Sequence, residues 1–292
     1  MMLIHKFLDP KNDFAFKRIF GSERNSDILI HFINDILGFK RAEKIKEVEF
    51  LKTTQDPEVA AKKQSLVDVL CKDGRGRQYI IEMQVAKTEG FEKRAQYYAA
   101  KAYSGQLNSA QDYIKLKEIV FIAITDFVMF SDKTNYCSKH HILDHETYSR
   151  DLKDFSFVFI ELPKFNLQIE ELRTLKEKWS YFFKHAEETD EQEVAKIVGK
   201  DKVILRAYEE LNRFSWDEVE LNTYEQAEKN ERDTRAIIAQ SFNEGKEEGR
   251  EEGRLETLKE VVHKLIANGQ SDAAIMAMLN LNLTELSRLK CE

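Results

Sequence analysis

The chain has 292 residues, of which 42% are hydrophobic and 33% charged, and its formal net charge is −7. This composition is typical of a water-soluble globular protein rich in helical surface, and no apolar run reaches the ~18 residues that a membrane span needs. The first residues lack the apolar core of a secretory signal, and three cysteines are too few for a cysteine zinc site. We therefore expect a cytoplasmic protein that makes no membrane contact.

The charge is unevenly distributed. Residues 1–130 carry a net charge of +3 and the remainder carries −10. An acidic total charge argues against a general polyanion-binding protein. The mildly basic first part can still hold a phosphate-binding surface.

Two short helices and a strand are predicted at the start of the chain. Asp13 is a suitable N-cap for a helix that ends at Gly21, and Ser26 for a helix that continues through Leu37. The apolar residues of both segments recur at helical spacing. The residues Glu47–Lys52 are then predicted to form a strand.

Two apolar runs joined by a tight turn predict a β-hairpin. The runs are Ser65–Cys71 and Gln78–Val85, and the Asp-Gly and Arg-Gly steps at 72–77 supply the positive φ of a hairpin turn. Each run contains one carboxylate, Asp68 in the first and Glu82 in the second. Because a buried carboxylate costs several kcal/mol unless it is paired or binds a metal, the two together predict a cation site.

The next segments complete a predicted sheet. A helix is expected at about 91–108, followed by a continuous apolar strand at 118–125, which is typical of a strand covered on both faces. Residues 127–150 are interpreted as an excursion from the sheet, and 155–162 as a further strand. This order predicts a mixed sheet with helices on both faces.

From Gln168 onward the pattern is helical. Segments near 169–186, 190–213 and 216–229 precede one long charged helix at 230–267. Glycines at 245, 249 and 253 form a stripe along that helix, which is either a contact surface for another helix or a connector. Two short helices capped by Ser271 and Thr284 end the chain, and a packing unit is favoured over a DNA-reading helix-turn-helix for them.

The hairpin and its neighbours resemble the PD-(D/E)XK nuclease superfamily, and most closely its branch of PD-(D/E)XK nuclease family transposases, or Rpn-type recombination-promoting nucleases. The glutamate-rich glycine repeat near the C-terminus also resembles this branch. The matching motifs are Asp9-Pro10-Lys11-Asn12-Asp13-Phe14-Ala15-Phe16-Lys17, Val67-Asp68-Val69, Ile81-Glu82-Met83-Gln84, and Arg94 followed by Tyr97-Tyr98.

The resemblance implies a restriction-endonuclease-like α/β fold and a Mg²⁺-dependent cut of DNA, with Mn²⁺ as an alternative ion. Asp68 and Glu82 would be metal ligands and catalytic groups, and the main-chain carbonyl of Met83 a third ligand. Gln84 stands where the superfamily commonly has lysine. Glutamine can position the attacking water but has no charge with which to activate it.

The missing cation could come from Lys17, Lys87 or Lys101, and the sequence does not choose among them. Arg94 and Lys101 share one face of the predicted helix and, with Lys17, are the expected DNA contacts. An ion pair between Arg94 and a carboxylate is the alternative. Tyr97 is the third residue on that face, with packing on the sheet as its alternative role.

Two further groups were weighed for the site. Asp13 is interpreted as a helix cap rather than as an additional acidic group of the site. The histidines at 140, 141 and 145 could ligate a metal only if they lay on a helix, and that role is not favoured.

Four parts are predicted for the chain. They are a nuclease-like domain at 1–165, a helical region at 166–230, the long charged helix at 231–268 and a small helical tail at 269–292. The expected function is a DNA endonuclease linked to recombination or mobile elements, with a homodimer through the C-terminal helices. The alternative is a catalytically weak or inactive nuclease-fold module that binds DNA or protein.

Overall fold

The computed structural model describes residues 5–55, 65–107 and 112–291. The chain divides into two compact units, Met1–Glu228 and Lys229–Glu292. The finer division into four parts stays a prediction.

The strands are β1 (Val48–Phe50), β2 (Thr54–Gln55), β3 (Ser65–Leu66), β4 (Val69–Asp73), β5 (Gln78–Gln84), β6 (Ile119–Thr125), β7 (Cys137–His141) and β8 (Phe155–Glu161). The α-helices are α1 (Asp13–Phe20), α2 (Ser26–Leu37), α3 (Phe91–Ser104), α4 (Leu175–His185), α5 (Glu191–Val198), α6 (Lys202–Glu210), α7 (Glu218–Ala267), α8 (Asp272–Leu279) and α9 (Leu283–Cys291).

One six-stranded sheet, in the order β1-β4-β5-β6-β8-β7, forms the centre of the first unit. Strands β5, β6 and β8 run parallel, whereas β1, β4 and β7 are antiparallel to their neighbours. The strands β2 and β3 form a separate two-stranded ribbon. The predicted mixed sheet flanked by helices, and with it the restriction-endonuclease-like α/β fold, is confirmed.

The strand β6 is buried along its whole length, as its continuous apolar sequence predicted. Alternate side chains leave a strand on opposite faces. Val120, Ile122 and Ile124 therefore enter a core shared with α1, α2 and α4, whereas Phe121 and Ala123 enter a second core shared with α3. Each large apolar side chain buried in this way contributes roughly 1.5–3 kcal/mol.

The prediction of one continuous strand at Ser65–Cys71 is wrong, because this segment forms two strands. β3 pairs with β2, β4 pairs with β5, and Asp68 lies in the bend between them. The β4–β5 register pairs Val69 with Ile81, so Asp68 comes opposite Glu82 just beyond the last pair. The amide of Asp68 donates to the Glu82 carboxylate at 3.2 Å. A side-chain oxygen, and not a backbone carbonyl of the neighbouring strand, thus accepts the hydrogen bond.

Residues 127–150 are not only an excursion from the sheet, because they contain β7. This strand pairs antiparallel with β8 from Cys137 to His141 and forms an edge of the sheet. Its sequence is Cys-Ser-Lys-His-His, and its residues are half-buried or exposed. A strand without apolar alternation gives no periodic signal, so the sequence did not predict it.

The predicted caps of the first two helices are displaced by one residue. Asn12, and not Asp13, caps α1, because its side-chain oxygen accepts from the amides of Phe14 and Ala15. Asn and Asp are almost equally good N-caps, so the sequence alone did not separate these neighbours. Ser26 is the first residue of α2 rather than its cap.

The long helix α7 begins earlier than predicted. It continues without interruption from Glu218 to Ala267, so the segments predicted at 216–229 and 230–267 are one helix. A Cβ added at Gly245, Gly249 or Gly253 would meet nothing within 4 Å. Whether the glycine stripe is a contact surface or a connector therefore stays open.

The C-terminal part of the second unit has the two short helices that were predicted. Ser271 caps α8, with its hydroxyl accepting from Ala274, but Thr284 does not cap α9. Asn282 does, because its side-chain oxygen accepts from the amide of Glu285 at 2.9 Å. The residues that form the small core of this part are Val262, Ile275, Leu286 and Leu289.

The loop between α2 and β1 is fixed to α2 by one buried side chain. Asn34 donates to the carbonyl of Ile45 at 3.0 Å and accepts from the amide of Ile45 at 2.8 Å. We predict that Asn34→Ala lowers the free energy of unfolding by about 2 kcal/mol in urea titrations, because both buried backbone groups lose their partner. Lys40→Ala, at an exposed position of the same loop, should change it by less than about 0.5 kcal/mol. Equal effects would contradict the prediction.

Candidate active site

Asp68 and Glu82 face each other across the end of the β4–β5 hairpin. The Asp68 amide donates to Glu82, and the Met83 amide donates to the Asp68 carboxylate at 2.9 Å. Glu82 is only 3% exposed, and the Asp68 side chain is 15% exposed. The structure thus brings the two predicted carboxylates together on one face of the sheet. They lie near the C-terminal end of β5, from which the chain continues to α3.

Burial and mutual repulsion make these two carboxylates unusually weak acids. Burial, with the Asp68 carboxylate adding to it, raises the pKa of Glu82 to about 8. Burial also raises the pKa of Asp68, against the opposing effects of the Met83 amide and the Lys17 ammonium. Both side chains therefore favour a proton, or another cation, between them.

Gln84 joins Glu82 to α3 through its side-chain amide. Its nitrogen donates to the Glu82 carboxylate at 3.0 Å, and its oxygen accepts from the Arg94 guanidinium at 2.6 Å. A lysine here could donate to Glu82 but could not accept from Arg94, since lysine has no acceptor. Arg94 therefore contacts Gln84, and its charge opposes the rise in the pKa of Glu82.

Lys17 reaches the site from α1. Its ammonium lies 2.6 Å from the Asp13 carboxylate, one helical turn away, and 3.5 Å from that of Asp68. These contacts raise the pKa of Lys17 although burial, the largest effect, lowers it. Asp13, predicted as a cap, instead holds Lys17, and its charge helps to raise the pKa of Asp68.

The other two predicted cations, Lys101 and Lys87, belong to α3 and to the segment before it. Lys101 is seven residues beyond Arg94 on α3, about 10 Å along the helix axis. Lys87 is exposed in the segment after β5. Of the three lysines that the sequence left open, the structure brings Lys17 to Asp68.

Tyr98 belongs to the motif that begins with Arg94, but the sequence did not predict its position beside the carboxylates. Burial raises the pKa of its hydroxyl; Arg94 opposes this, and Glu82 and Asp68 add to it. Tyr98 packs on the second core, whereas Tyr97 is 44% exposed. The spacing of four residues between Arg94 and Tyr98 was the available signal, because it places both on one helix face.

The donor set at this site fits a hard divalent cation. Two carboxylates with raised pKa values are oxygen ligands that Mg²⁺ accepts, usually together with water. The carbonyl and amide of one residue leave a strand on the same side, so the Met83 carbonyl leaves β5 on the side of Asp68. No cluster of three or more His, Cys, Asp or Glu side chains in residues 5–55, 65–107 and 112–291 is arranged to hold a metal. Mg²⁺ needs only one or two carboxylates.

The histidines do not form a second metal site. His140 and His141 are neighbours on β7, so their side chains leave the strand on opposite faces. Burial lowers the pKa of both rings.

In the described ranges, no helix has the length and apolar character that crossing a membrane would require.

A family model described as PD-(D/E)XK nuclease family transposase matches residues 10–241, more than half of the chain. The chain belongs to this family. No curated protein and no solved structure matches the sequence of this chain. The PD-(D/E)XK match includes the carboxylate pair, Gln84, Arg94 and Lys17, and ends within α7. Membership in the PD-(D/E)XK family supports a nuclease-related or transposase-related role.

The raised pKa of Glu82 predicts how the stability of the metal-free PD-(D/E)XK protein depends on pH. Between the ordinary value of 4.5 and about 8, the folded state keeps a proton that the unfolded state releases. The contribution of Glu82 to the free energy of unfolding is therefore fully present below pH 4.5 and is lost as pH rises through 8, by up to about 1.4 kcal/mol per pH unit.

Urea titrations in EDTA between pH 5 and 9 test this prediction. Glu82→Gln should lose less stability than wild type as the pH rises, because glutamine does not ionise. Glu49→Gln, at an exposed carboxylate on β1, is the matched control and should follow wild type. Parallel pH profiles for wild type and Glu82→Gln would show that Glu82 is ionised as in an unfolded chain.

Proposed function

We propose that the protein is a metal-dependent endonuclease that hydrolyses phosphodiester bonds in DNA. The observation that carries this proposal is the Asp68–Glu82 pair, two carboxylates that face each other at a buried position, one in the bend before β4 and the other on β5. Taking two like charges out of water costs several kcal/mol, and a cation between them offsets that cost. Asp68 has Lys17 as a partner, but Glu82 faces a carboxylate, and a purely structural role would be served better if Glu82 had a basic partner of its own.

Asp68, Glu82 and the carbonyl of Met83 would hold Mg²⁺, with Mn²⁺ as the alternative. When bound, the ion supplies Lewis acidity to the phosphate and lowers the pKa of the attacking water. Gln84 would orient that water with its amide group. Arg94 is a positioning residue, because its bond to the Gln84 oxygen fixes which way that amide points.

Lys17 would take the role that lysine commonly has in the last position of the family motif. Its ammonium is fixed by Asp13 and lies beside Asp68, so a positive charge is available next to the carboxylates without a lysine at position 84. An ammonium there favours the deprotonated form of a water and the charge that develops on the phosphate. The lysine would thus come from α1 and not from position 84 of the motif, while a positive charge is still present beside the carboxylates.

DNA is the proposed substrate, with recombination or mobile-element biology as the proposed setting and the cytoplasm as the location. Lys17 and Lys101 are the proposed phosphate contacts. Homodimerisation through the C-terminal helices has no support in the structure of a single chain and stays a prediction. A catalytically inactive module is the alternative function, and the lack of a lysine at position 84 is the observation that favours it.

The first test is nicking of supercoiled plasmid with Mg²⁺ or Mn²⁺. We expect wild type to cut, and Asp68→Asn and Glu82→Gln to lower the rate by at least about 100-fold, because each removes a charge that the bound cation needs. Glu49→Gln should cut at the wild-type rate. Equal residual cutting by wild type and both site variants would reject the enzyme and favour the inactive module.

The second test concerns the three lysines. Lys17→Gln should lower kcat by about 100-fold, with little change in KM, since a misplaced proton or charge affects the transition state more than binding. Lys87→Gln is the matched control and should retain kcat, whereas Lys101→Gln, at a proposed phosphate contact, should raise KM and leave kcat unchanged. A loss of kcat with Lys87→Gln or Lys101→Gln, and not with Lys17→Gln, would assign the cationic role elsewhere.

A further inference from the structure

A cavity lined by basic side chains lies at the other end of β5 from the carboxylate pair. It has a volume of about 550 Å³ and lies between residues 41–47 and the hairpin turn after Asp73. The basic side chains that line it are Arg41, Lys44, Lys46, Arg75 and Arg77. Only two acidic residues line it, Glu47 and Asp73, so its formal net charge is +3 in a protein whose net charge is −7.

The net charge of +3 already includes both acidic residues, and one of them is fully engaged within the hairpin turn. Asp73 is buried, accepts from the amides of Arg75 and Arg77, and forms an ion pair with the Arg77 guanidinium at 2.8 Å. In the ranges that the structure describes, no carboxylate lies within ion-pair distance of Arg41, Lys44 or Lys46. Arg41, Lys44 and Lys46 are thus exposed and form no ion pair within these ranges.

Residues 41–47, here called the basic loop, are held in place by hydrogen bonds to the rest of the fold. Asn34 binds both backbone groups of Ile45, in the middle of the loop. The Arg75 side chain donates to the carbonyl of Ala42, which fixes the loop to the hairpin turn. A fixed cluster of cations binds an anion with less loss of conformational entropy than a flexible one.

We propose that this cavity binds backbone phosphates of the DNA duplex that flanks the cut site. The inference rests on the proposed endonuclease function for the identity of its ligand. Glu82 lies five residue steps beyond Arg77, about 17 Å along the strand, and this distance matches about five base pairs at 3.4 Å each. Exposed lysine and arginine side chains contact phosphates without reading sequence, so the site adds affinity rather than specificity.

The test measures binding of a 24-base-pair duplex by fluorescence anisotropy in EDTA, where no cleavage can occur, at several salt concentrations. The triple variant Arg41→Gln, Lys44→Gln, Lys46→Gln should bind at least about tenfold more weakly, with a salt dependence of log K reduced by about 2 to 3. The matched control removes three exposed lysines elsewhere in the same unit, Lys196→Gln, Lys200→Gln and Lys202→Gln. It should bind as wild type does, although its net charge changes equally.

A variant that conserves the charges and a second nucleic acid, single-stranded RNA, complete the test. Lys44→Arg with Lys46→Arg keeps the charges and should bind as wild type does. Equal losses in the loop and control triples, or no duplex binding by wild type, would overturn the proposal. A loss confined to single-stranded RNA would also overturn it. Duplex binding that depends on the loop, in a protein that never cuts with Mg²⁺ or Mn²⁺, would reject the endonuclease and leave the phosphate site standing.

Discussion

Two carboxylates buried against each other at the end of a hairpin are the constraint on which the candidate site depends. The Asp68 amide donates to the Glu82 carboxylate, the Asp68 carboxylate accepts from the Met83 amide, and burial raises the pKa of both carboxylates. Like charges at this separation favour a proton or a cation between them. The surrounding cations, Lys17 and Arg94, limit this repulsion while leaving the carboxylate oxygens available.

Another buried carboxylate shows how the chain satisfies a structural charge. Glu161 at the end of β8 is fully buried, accepts from the amides of Met129 and Phe130, and has the Lys164 ammonium at 2.8 Å. Glu82 is equally deep, but the group that faces it is another carboxylate. The contrast separates a carboxylate that is paired with a lysine and fastens a loop from one that faces a second carboxylate.

The replacement of lysine by Gln84 takes a different meaning in three dimensions. In the sequence it is a lost charge, which weakens the expectation of catalysis. In the structure Gln84 both accepts from Arg94 and donates to Glu82, which lysine cannot do. Lys17, brought from α1, places an ammonium beside Asp68. The charge and the hydrogen-bonding function are thus divided between two residues far apart in the chain.

The sequence by itself determined the local features that have a periodic or compositional signal. These include the buried strand β6, the hairpin, the two tail helices and the presence of Asp68 and Glu82 in apolar surroundings, because burial and backbone geometry restrict which residues such positions accept. The strand β7 lacked that signal, since its residues are polar, and the break at Asp68 depends on pairing with two different strands.

Only the tertiary structure decided which groups meet. The contacts of Lys17 with Asp68 and Asp13, and the position of Tyr98, depend on how α1 and α3 pack beside the sheet. Contacts between residues 51 or more positions apart, such as Lys17 with Asp68, leave no trace in local spacing. The packing of two helices on one sheet therefore turned a list of charged residues into a candidate active site.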